Sequence, residues 1–399
     1  MDIASYLHFC YSFWHKYFIP ISISPYGNMD DNPFIFGKTV EGPQFADRVD
    51  EKEELIRALS SGENVILYSP RRYGKSSLAA VVSNELKEKG IPVGNIDMEY
   101  ISTKRALAER FVSTTHEAFH PKRKEFMDKL KDLKDHLPSI KVKPFEDLPM
   151  SIEFDAPSVD VEKALEKAVQ LPDTYSRKKK MVMVMDEFPF VEQNIGGNIL
   201  HLLRGIMQTQ KNVSYLFLGS SRSMMRDIFD TKTSPFYKFG KKMYLDVIPH
   251  DDFAQFIKEK FRDPTISDES VELILDATGC HPYYTQQLCH EIWDILKEDE
   301  TVTKELFDEA MDRVLTREKA VYLEILDSLP GTQMRMLKSI AEGWESLYSK
   351  DSLIALNMSS GTAQKAVKAL IKKDIVSKKN GDLVLEDPFF EIFVKRNVL

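Results

Sequence analysis

The chain has 399 residues, 43% of them hydrophobic and 29% charged, enough for two or three domains and ordinary for a globular protein. Its net charge of −8 excludes bulk attraction to nucleic acid, so any DNA contact has to be a local patch. Cys10, Cys280 and Cys289 show neither CxxC spacing nor a disulfide framework, which suits a reducing, cytoplasmic setting.

Residues 1–28 differ from the rest. They are rich in aromatics (Tyr6, Phe9, Tyr11, Phe13, Trp14, Tyr17, Phe18), interrupted by His15 and Lys16 and broken at Pro20 and Pro25. That is too interrupted for a membrane helix, and the basic start of a signal peptide is missing, so a membrane partner is not expected. The segment reads as an over-extended reading frame with Met29 as the working start; a membrane-associating or partner-binding tail is the alternative. Residues 32–37 form a loop-like lead-in, and 50–60 a helix. Strand and helix patterns then alternate (65–68, 77–87, 93–100, 104–119), which predicts βαβ units and a parallel sheet. Residues 121–160 read as an insertion, with a charged helix at 122–133 and a hairpin pairing 139–144 with 150–154. An amphipathic helix at 161–171 leads to an apolar strand at 181–185, and strands at 215–219 and 243–247 bring the sheet to about five.

From Pro249 onward the pattern is helical: 251–262, 267–278, 282–296 and 303–315 carry apolar residues at helical spacing. After Lys319 a third unit begins, with helices at 320–329, 331–342, 350–356 and 361–373. Short β runs at 376–379 and 383–385 follow, turning at Asn380-Gly381, a strong hairpin signal. Three helices and a hairpin make a winged helix-turn-helix. The expected organisation is therefore an extension (1–28), an α/β domain (29–249), a helical domain (250–318) and a winged-helix domain (319–399).

Two motifs carry chemistry. Ser69-Pro70-Arg71-Arg72-Tyr73-Gly74-Lys75-Ser76, continued by Ser77, follows the apolar strand 65–68 and opens a helix. A strand that turns through Gly-Lys-Ser into a helix N-terminus is a phosphate cradle of inward-pointing N–H groups. Lys75 is placed to reach the β- and γ-phosphates of ATP, and Ser76 to hold Mg²⁺. The usual first residue is Gly; Ser69 stands there instead, and Ser reaches some backbone conformations only at a cost. The second motif is Met181-Val182-Met183-Val184-Met185-Asp186-Glu187. Five consecutive apolar residues suit a strand buried on both faces, and ligands bind at the carboxyl ends of such strands. Asp186 is the expected Mg²⁺ residue and Glu187 the expected base for the attacking water. The bland alternative is an acidic strand end.

The order of these motifs resembles the archaeal-type P-loop ATPases, related to AAA+ and STAND proteins. The resemblance covers residues 32–396. It rests on Asn32-Pro33-Phe34, on Phe45-Ala46-Asp47-Arg48-Val49-Asp50-Glu51, on the phosphate loop and on Asp-Glu-Phe-Pro at 186–189. It also rests on Phe217-Leu218-Gly219-Ser220-Ser221-Arg222, on Gly279-Cys280-His281-Pro282-Tyr283-Tyr284 and on the tail Glu386-Asp387-Pro388-Phe389-Phe390. It implies an αβα sandwich with a parallel sheet, a helical lid and a winged helix, hydrolysing ATP to ADP and phosphate. By position it puts Phe45 and Arg48 near the adenine, Ser220 and a γ-phosphate sensor, Arg222, beside the phosphate loop, and Pro282 at the start of a lid helix over the base.

The same resemblance extends to origin-recognition-type initiators and so implies double-stranded DNA as a partner. Lys365, Lys368 and Lys372 share one helix face, with Lys373 beside them and Lys378 and Lys379 on the wing. Against this, residues 320–399 hold 11 Lys/Arg and 10 Asp/Glu, and the helix lacks arginine, the better base reader. Two readings stay open: an ATP-driven switch acting on DNA, and a STAND-like ADP/ATP-gated scaffold acting on a protein partner.

Overall fold

The computed structural model describes residues 32–40, 42, 45–46, 48–119, 140–143, 151–154, 161–176, 180–262, 265–297, 300–379 and 381–398. The extension at 1–28 and the charged helix expected at 122–133 lie outside the described residues. The chain divides into two compact units, residues 1–33 and 34–399, and the elements below lie in the second.

Helix α1 (Val49–Ser61) precedes β1 (Val65–Tyr68), α2 (Lys75–Glu88), β2 (Val93–Asp97) and α3 (Lys104–Phe119). The expected insertion hairpin is present: β3 (Ile140–Lys143) pairs antiparallel with β4 (Ser151–Phe154). After it come α4 (Val161–Tyr175), β5 (Met181–Asp186), α5 (Phe190–Ile195), α6 (Ile199–Met207), β6 (Val213–Gly219), α7 (Arg222–Phe229) and β7 (Lys241–Tyr244). Helix α4 runs through Pro172, where sequence reasoning ends it; Ser176 N–H still bonds to the Pro172 carbonyl at 3.0 Å.

The strands form one parallel sheet in the order β2-β5-β6-β1-β7. Side chains alternate across a strand, so the continuous apolar runs feed two cores at once. Ile66, Met181, Met183, Met185, Tyr215 and Phe217 pack with Leu107, Leu165, Leu203 and Met225 of α3, α4, α6 and α7. Val65, Leu67, Val182, Val184, Leu216 and Leu218 pack on the other face with Leu55 and Leu59 of α1 and Leu78 and Val82 of α2. Helices on both faces make the expected αβα sandwich. Because β6 lies between β1 and β5, the phosphate loop, the β6 end and the carboxylate pair meet along one sheet edge.

A third core unites the remainder. It includes α8 (His250–Lys260), α9 (Asp268–Thr278), α10 (Pro282–Ile295), α11 (Lys304–Asp327) and the winged helix: α12 (Gly331–Ala341), α13 (Lys350–Ala355), α14 (Ser360–Lys372), β8 (Val376–Lys379), β9 (Asp382–Leu385) and α15 (Pro388–Asn397). Phe253, Leu288, Val314, Leu337, Leu370 and Phe393 belong to one buried cluster. The boundary expected at 318–319 falls inside α11, a single helix of 24 residues. Arg317-Glu318-Lys319-Ala320 are good helix formers with no Gly or Pro among them, so nothing interrupts the chain there. Helix α15, which sequence periodicity did not pick out, starts at Asp387, whose side chain accepts from Phe389 and Phe390 N–H.

Candidate functional site

The phosphate loop leaves β1 at Ser69 and enters α2 through Gly74, whose φ of +82° makes it the left-handed cap of that helix. Arg72 also has a positive φ, +67°, a conformation that stores strain in a residue with a Cβ. Ser69, where glycine is usual, is not among the residues with positive φ, so its side chain adds no such strain. Its hydroxyl donates to the Pro70 carbonyl at 3.1 Å.

Lys75 is buried, and its Nζ lies 2.8 Å from Glu187 Oε1. Glu187 Oε2 accepts from both the N–H and the hydroxyl of Ser220, each at 3.0 Å. Burial pushes the Glu187 carboxyl up, but the Lys75 ammonium and the Ser220 donors outweigh it and hold the group below the usual carboxylate range. Glu187 has a φ of +46°, a second strained residue at the sheet edge. Ser76 Oγ donates to Asp186 Oδ2 at 3.2 Å. Burial raises Asp186 above its ordinary value despite the nearby Lys75. A hydroxyl beside a carboxylate is a hard oxygen pair of the kind Mg²⁺ prefers, and a cation would offset the burial of Asp186. Among the described residues no three His, Cys, Asp or Glu gather into a metal-holding group, so phosphate oxygens would have to complete such a shell.

A cavity of about 670 Å³ opens over the loop. Its lining includes Phe45, Arg48, Pro70, Arg71, Arg72, Gly74, Lys75, Ser76, Ser77, Glu187, Ser220 and Pro282. The lead-in is tied to the cradle, Val40 N–H donating to Ser77 Oγ at 3.0 Å. Arg48 is 4% exposed, and its guanidinium donates to the carbonyls of Tyr73 (3.0 Å) and Asp246 (2.7 Å) and to Glu51. It therefore clamps the loop backbone as well as lining the cavity. Ser69, Tyr73, Asp186 and Arg222 are not among the lining residues. Arg222 is exposed on the first turn of α7.

Two loop side chains reach over to α10, and sequence reasoning did not foresee where they go. Arg72 donates to the Tyr284 hydroxyl at 3.3 Å and lies 4.5 Å over the Tyr283 ring. Tyr284 in turn packs edge-on against Phe389 of α15, ring centroids 5.1 Å apart, and Asp387, which caps that helix, accepts from Tyr322 at 3.3 Å. Tyr73 is buried edge-on against His281, with ring centroids 4.4 Å apart, and Lys379 Nζ lies 5.8 Å from the Tyr73 ring. His281 caps α10, its Nδ1 accepting from Tyr283 N–H at 3.2 Å. Burial, reinforced by Lys379, Arg72 and Arg48, lowers its pKa to about 3, so it is neutral. The phosphate loop thus touches the lid helix α10 and, through it and directly, the winged helix. The only signal in the sequence was the His281-Pro282-Tyr283-Tyr284 run itself.

On the winged helix, α14 buries Ala363, Ala366, Val367 and Leu370 and leaves Lys365, Lys368 and Lys372 exposed on the opposite side. Lys373 is exposed too, its Nζ bonded to the Ser328 carbonyl at 3.3 Å. Alternation along β8 exposes Lys378 but turns Lys379 inward to Tyr73. Lys379 is therefore engaged by the phosphate loop and does not join the outward lysines. Among the described residues no helix is long and apolar enough to cross a membrane.

A five-stranded parallel sheet in this order, with a Gly-Lys-Ser loop on one strand and a carboxylate pair ending another, defines a P-loop ATPase fold followed by a winged helix. Residues 45–288 match the family described as an ATPase domain predominantly from Archaea, and the chain belongs to that family. Residues 320–396 match a probable winged helix domain. Among solved structures, a Walker-type ATPase of Pyrococcus abyssi is similar at a TM-score of 0.62 and 16% identity, over 91% of this chain and 99% of that one. The ORC2 protein of Aeropyrum pernix, solved in ADPNP and ADP complexes, is similar at a TM-score of 0.54 and 15% identity, over 92% and 97%. At these identities the likeness speaks to the fold alone. No curated protein matches the chain.

Proposed function

We propose that the protein is a Mg²⁺-dependent ATP-driven switch, hydrolysing ATP to ADP and phosphate and transmitting nucleotide state to its winged helix. The observation that carries this reading is the pair Arg72 and Tyr73. They are phosphate-loop residues, yet their side chains contact α10 at Tyr284 and its cap His281, meet Lys379 of the wing, and through Tyr284 reach the start of α15. Any rearrangement of the loop around phosphates has to move those contacts or break them. In the site, the loop N–H groups and Lys75 bind the β- and γ-phosphates. Asp186 and Ser76 hold Mg²⁺, which supplies charge neutralisation of the phosphate oxygens when bound. Glu187 orients the attacking water, a task that requires it to leave Lys75 first. Phe45, Arg48 and Pro282 bound the base end, Ser220 holds Glu187, and Arg222 serves as the γ-phosphate sensor by swinging in from α7. The domain limits that suit this reading are 29–249, 250–318 and 319–399, with α11 as the rigid link between the last two.

In the leading version the winged helix contacts duplex DNA through Lys365, Lys368 and Lys372, with Lys373 and Lys378 flanking. A second reading, a nucleotide-gated scaffold for a protein partner, is favoured by one observation: Lys379 faces the phosphate loop rather than outward. The deciding experiment measures ATP hydrolysis with and without duplex DNA at low and moderate salt. Stimulation that fades with salt, and that is lost in the triple Lys365→Ala, Lys368→Ala, Lys372→Ala variant, supports the DNA reading. A rate indifferent to DNA at every salt concentration favours the scaffold. Absence of turnover under all conditions refutes the enzyme.

A further inference from the structure

The cavity over the phosphate loop is lined by two kinds of residue. Lys75, Ser76 and Ser77 suit phosphate, while Phe36, Phe45, Ile248, Pro282 and Tyr283 offer the flat apolar walls that a nucleobase takes. One polar side chain stands among the second group. Gln286 lies one turn into α10 from Pro282, on the same helix face, lines the same cavity and is 6% exposed. Its Oε1 is shut off from solvent without a hydrogen-bond partner. Gln333 and Ser377 also carry such an atom, but of these three only Gln286 belongs to the cavity. Its neighbour Thr285 is satisfied by Thr278 at 2.7 Å, so the helix is not generally short of partners.

A buried acceptor without a donor is unfavourable, and native structures keep few of them. We infer that Gln286 is the residue that selects the base, its carboxamide pairing with the amine edge of adenine. The inference rests on the nucleotide-site reading above and specifies its base end. A carboxamide has an acceptor and two donors side by side. Adenine presents the matching pair, an exocyclic amine that donates and a ring nitrogen that accepts, the same match by which glutamine reads adenine in nucleic acids. Guanine places a carbonyl oxygen where adenine has its amine, and purine riboside places only a hydrogen there. A site built to hydrogen-bond a substrate group discriminates strongly against an analogue without it, because its own buried partner is left unpaired.

The test is equilibrium binding of ATP, GTP and purine riboside triphosphate to the full chain. The wild type is expected to bind ATP about tenfold or more tightly than either analogue. Gln286→Met keeps the length and removes the amide; it should bind all three within about threefold of one another, at the affinity the wild type has for purine riboside triphosphate. If the wild type binds the three equally, Gln286 does not select the base, and this inference fails while the phosphate site stands. The wild-type comparison needs no variant, so poor folding of Gln286→Met does not blunt it. Lys75→Ala should weaken all three alike. If the wild type binds no nucleotide at all, the site itself is refuted and this inference with it.

Discussion

The ion pair between Lys75 and Glu187 makes a counterintuitive prediction: removing the charge of Glu187 should tighten ATP binding while stopping turnover. Lys75 Nζ and Glu187 Oε1 are 2.8 Å apart, with side chains 7% and 18% exposed. At an effective dielectric of about 20, two charges at such a distance attract by about 6 kcal/mol gross. Desolvation of both groups offsets most of this, leaving about 1.5–3 kcal/mol for a charge-assisted hydrogen bond. Phosphate has to take Lys75 away from that partner. Glu187→Gln keeps the shape and an oxygen for the Ser220 donors but removes the competing charge. Taking only ~1.4 kcal/mol of the pair as competition, affinity should rise about tenfold. The assay is calorimetric titration of both proteins with ADPNP, so that hydrolysis does not blur the comparison, alongside steady-state release of phosphate from ATP. Turnover should fall by about 10²-fold or more if Glu187 acts on the attacking water. Equal or weaker ADPNP affinity in the variant would refute the competition argument, and wild-type turnover would remove Glu187 from the chemistry. The pH dependence has a definite sign. Glu187 is held below its ordinary value, so the pair's contribution to stability is complete above the ordinary carboxylate range. It is lost as pH falls through the lowered value, and the stability gap between wild type and Glu187→Gln should close in acid.

Three further predictions rest on other residues. Lys75→Ala should abolish tight nucleotide binding by calorimetry; unchanged ATP affinity would mean the cradle is misassigned. His281 is neutral with a pKa of about 3, below its unfolded value, so its contribution favours the fold above about pH 6.5 and is lost below it, at up to ~1.4 kcal/mol per pH unit. His281→Asn retains a helix cap and should show a flatter decline of denaturation midpoint between pH 6.5 and 4; a slope equal to wild type would contradict the burial argument. Gly219 ends β6 where an added Cβ would lie 2.6 Å from Met225 Sδ and 2.9 Å from Pro189 Cδ. Gly219→Ala should therefore cost about 1–3 kcal/mol in chemical denaturation, and a neutral result would show that the contact relaxes freely.

Local chemistry made much of this molecule readable in one dimension. The apolar runs at Val65–Tyr68 and Met181–Asp186 are strands because an unbroken apolar stretch suits a strand covered on both faces, and Gly74-Lys75-Ser76 needs no partner to be recognised as a cradle. The hairpin Val376–Lys379 with Asp382–Leu385 follows from two β runs around Asn-Gly. What tertiary structure alone decided are matters of which side chains meet across long separations. That Arg72 and Tyr73 turn out of the loop toward Tyr284 and His281, that Lys379 faces inward and that Gln286 closes on the cavity all depend on how the third core docks on the sheet. A motif specifies backbone shape and residue chemistry along a few neighbouring positions. It carries no information on which of its side chains the rest of the chain, packed some two hundred residues away in sequence, will claim.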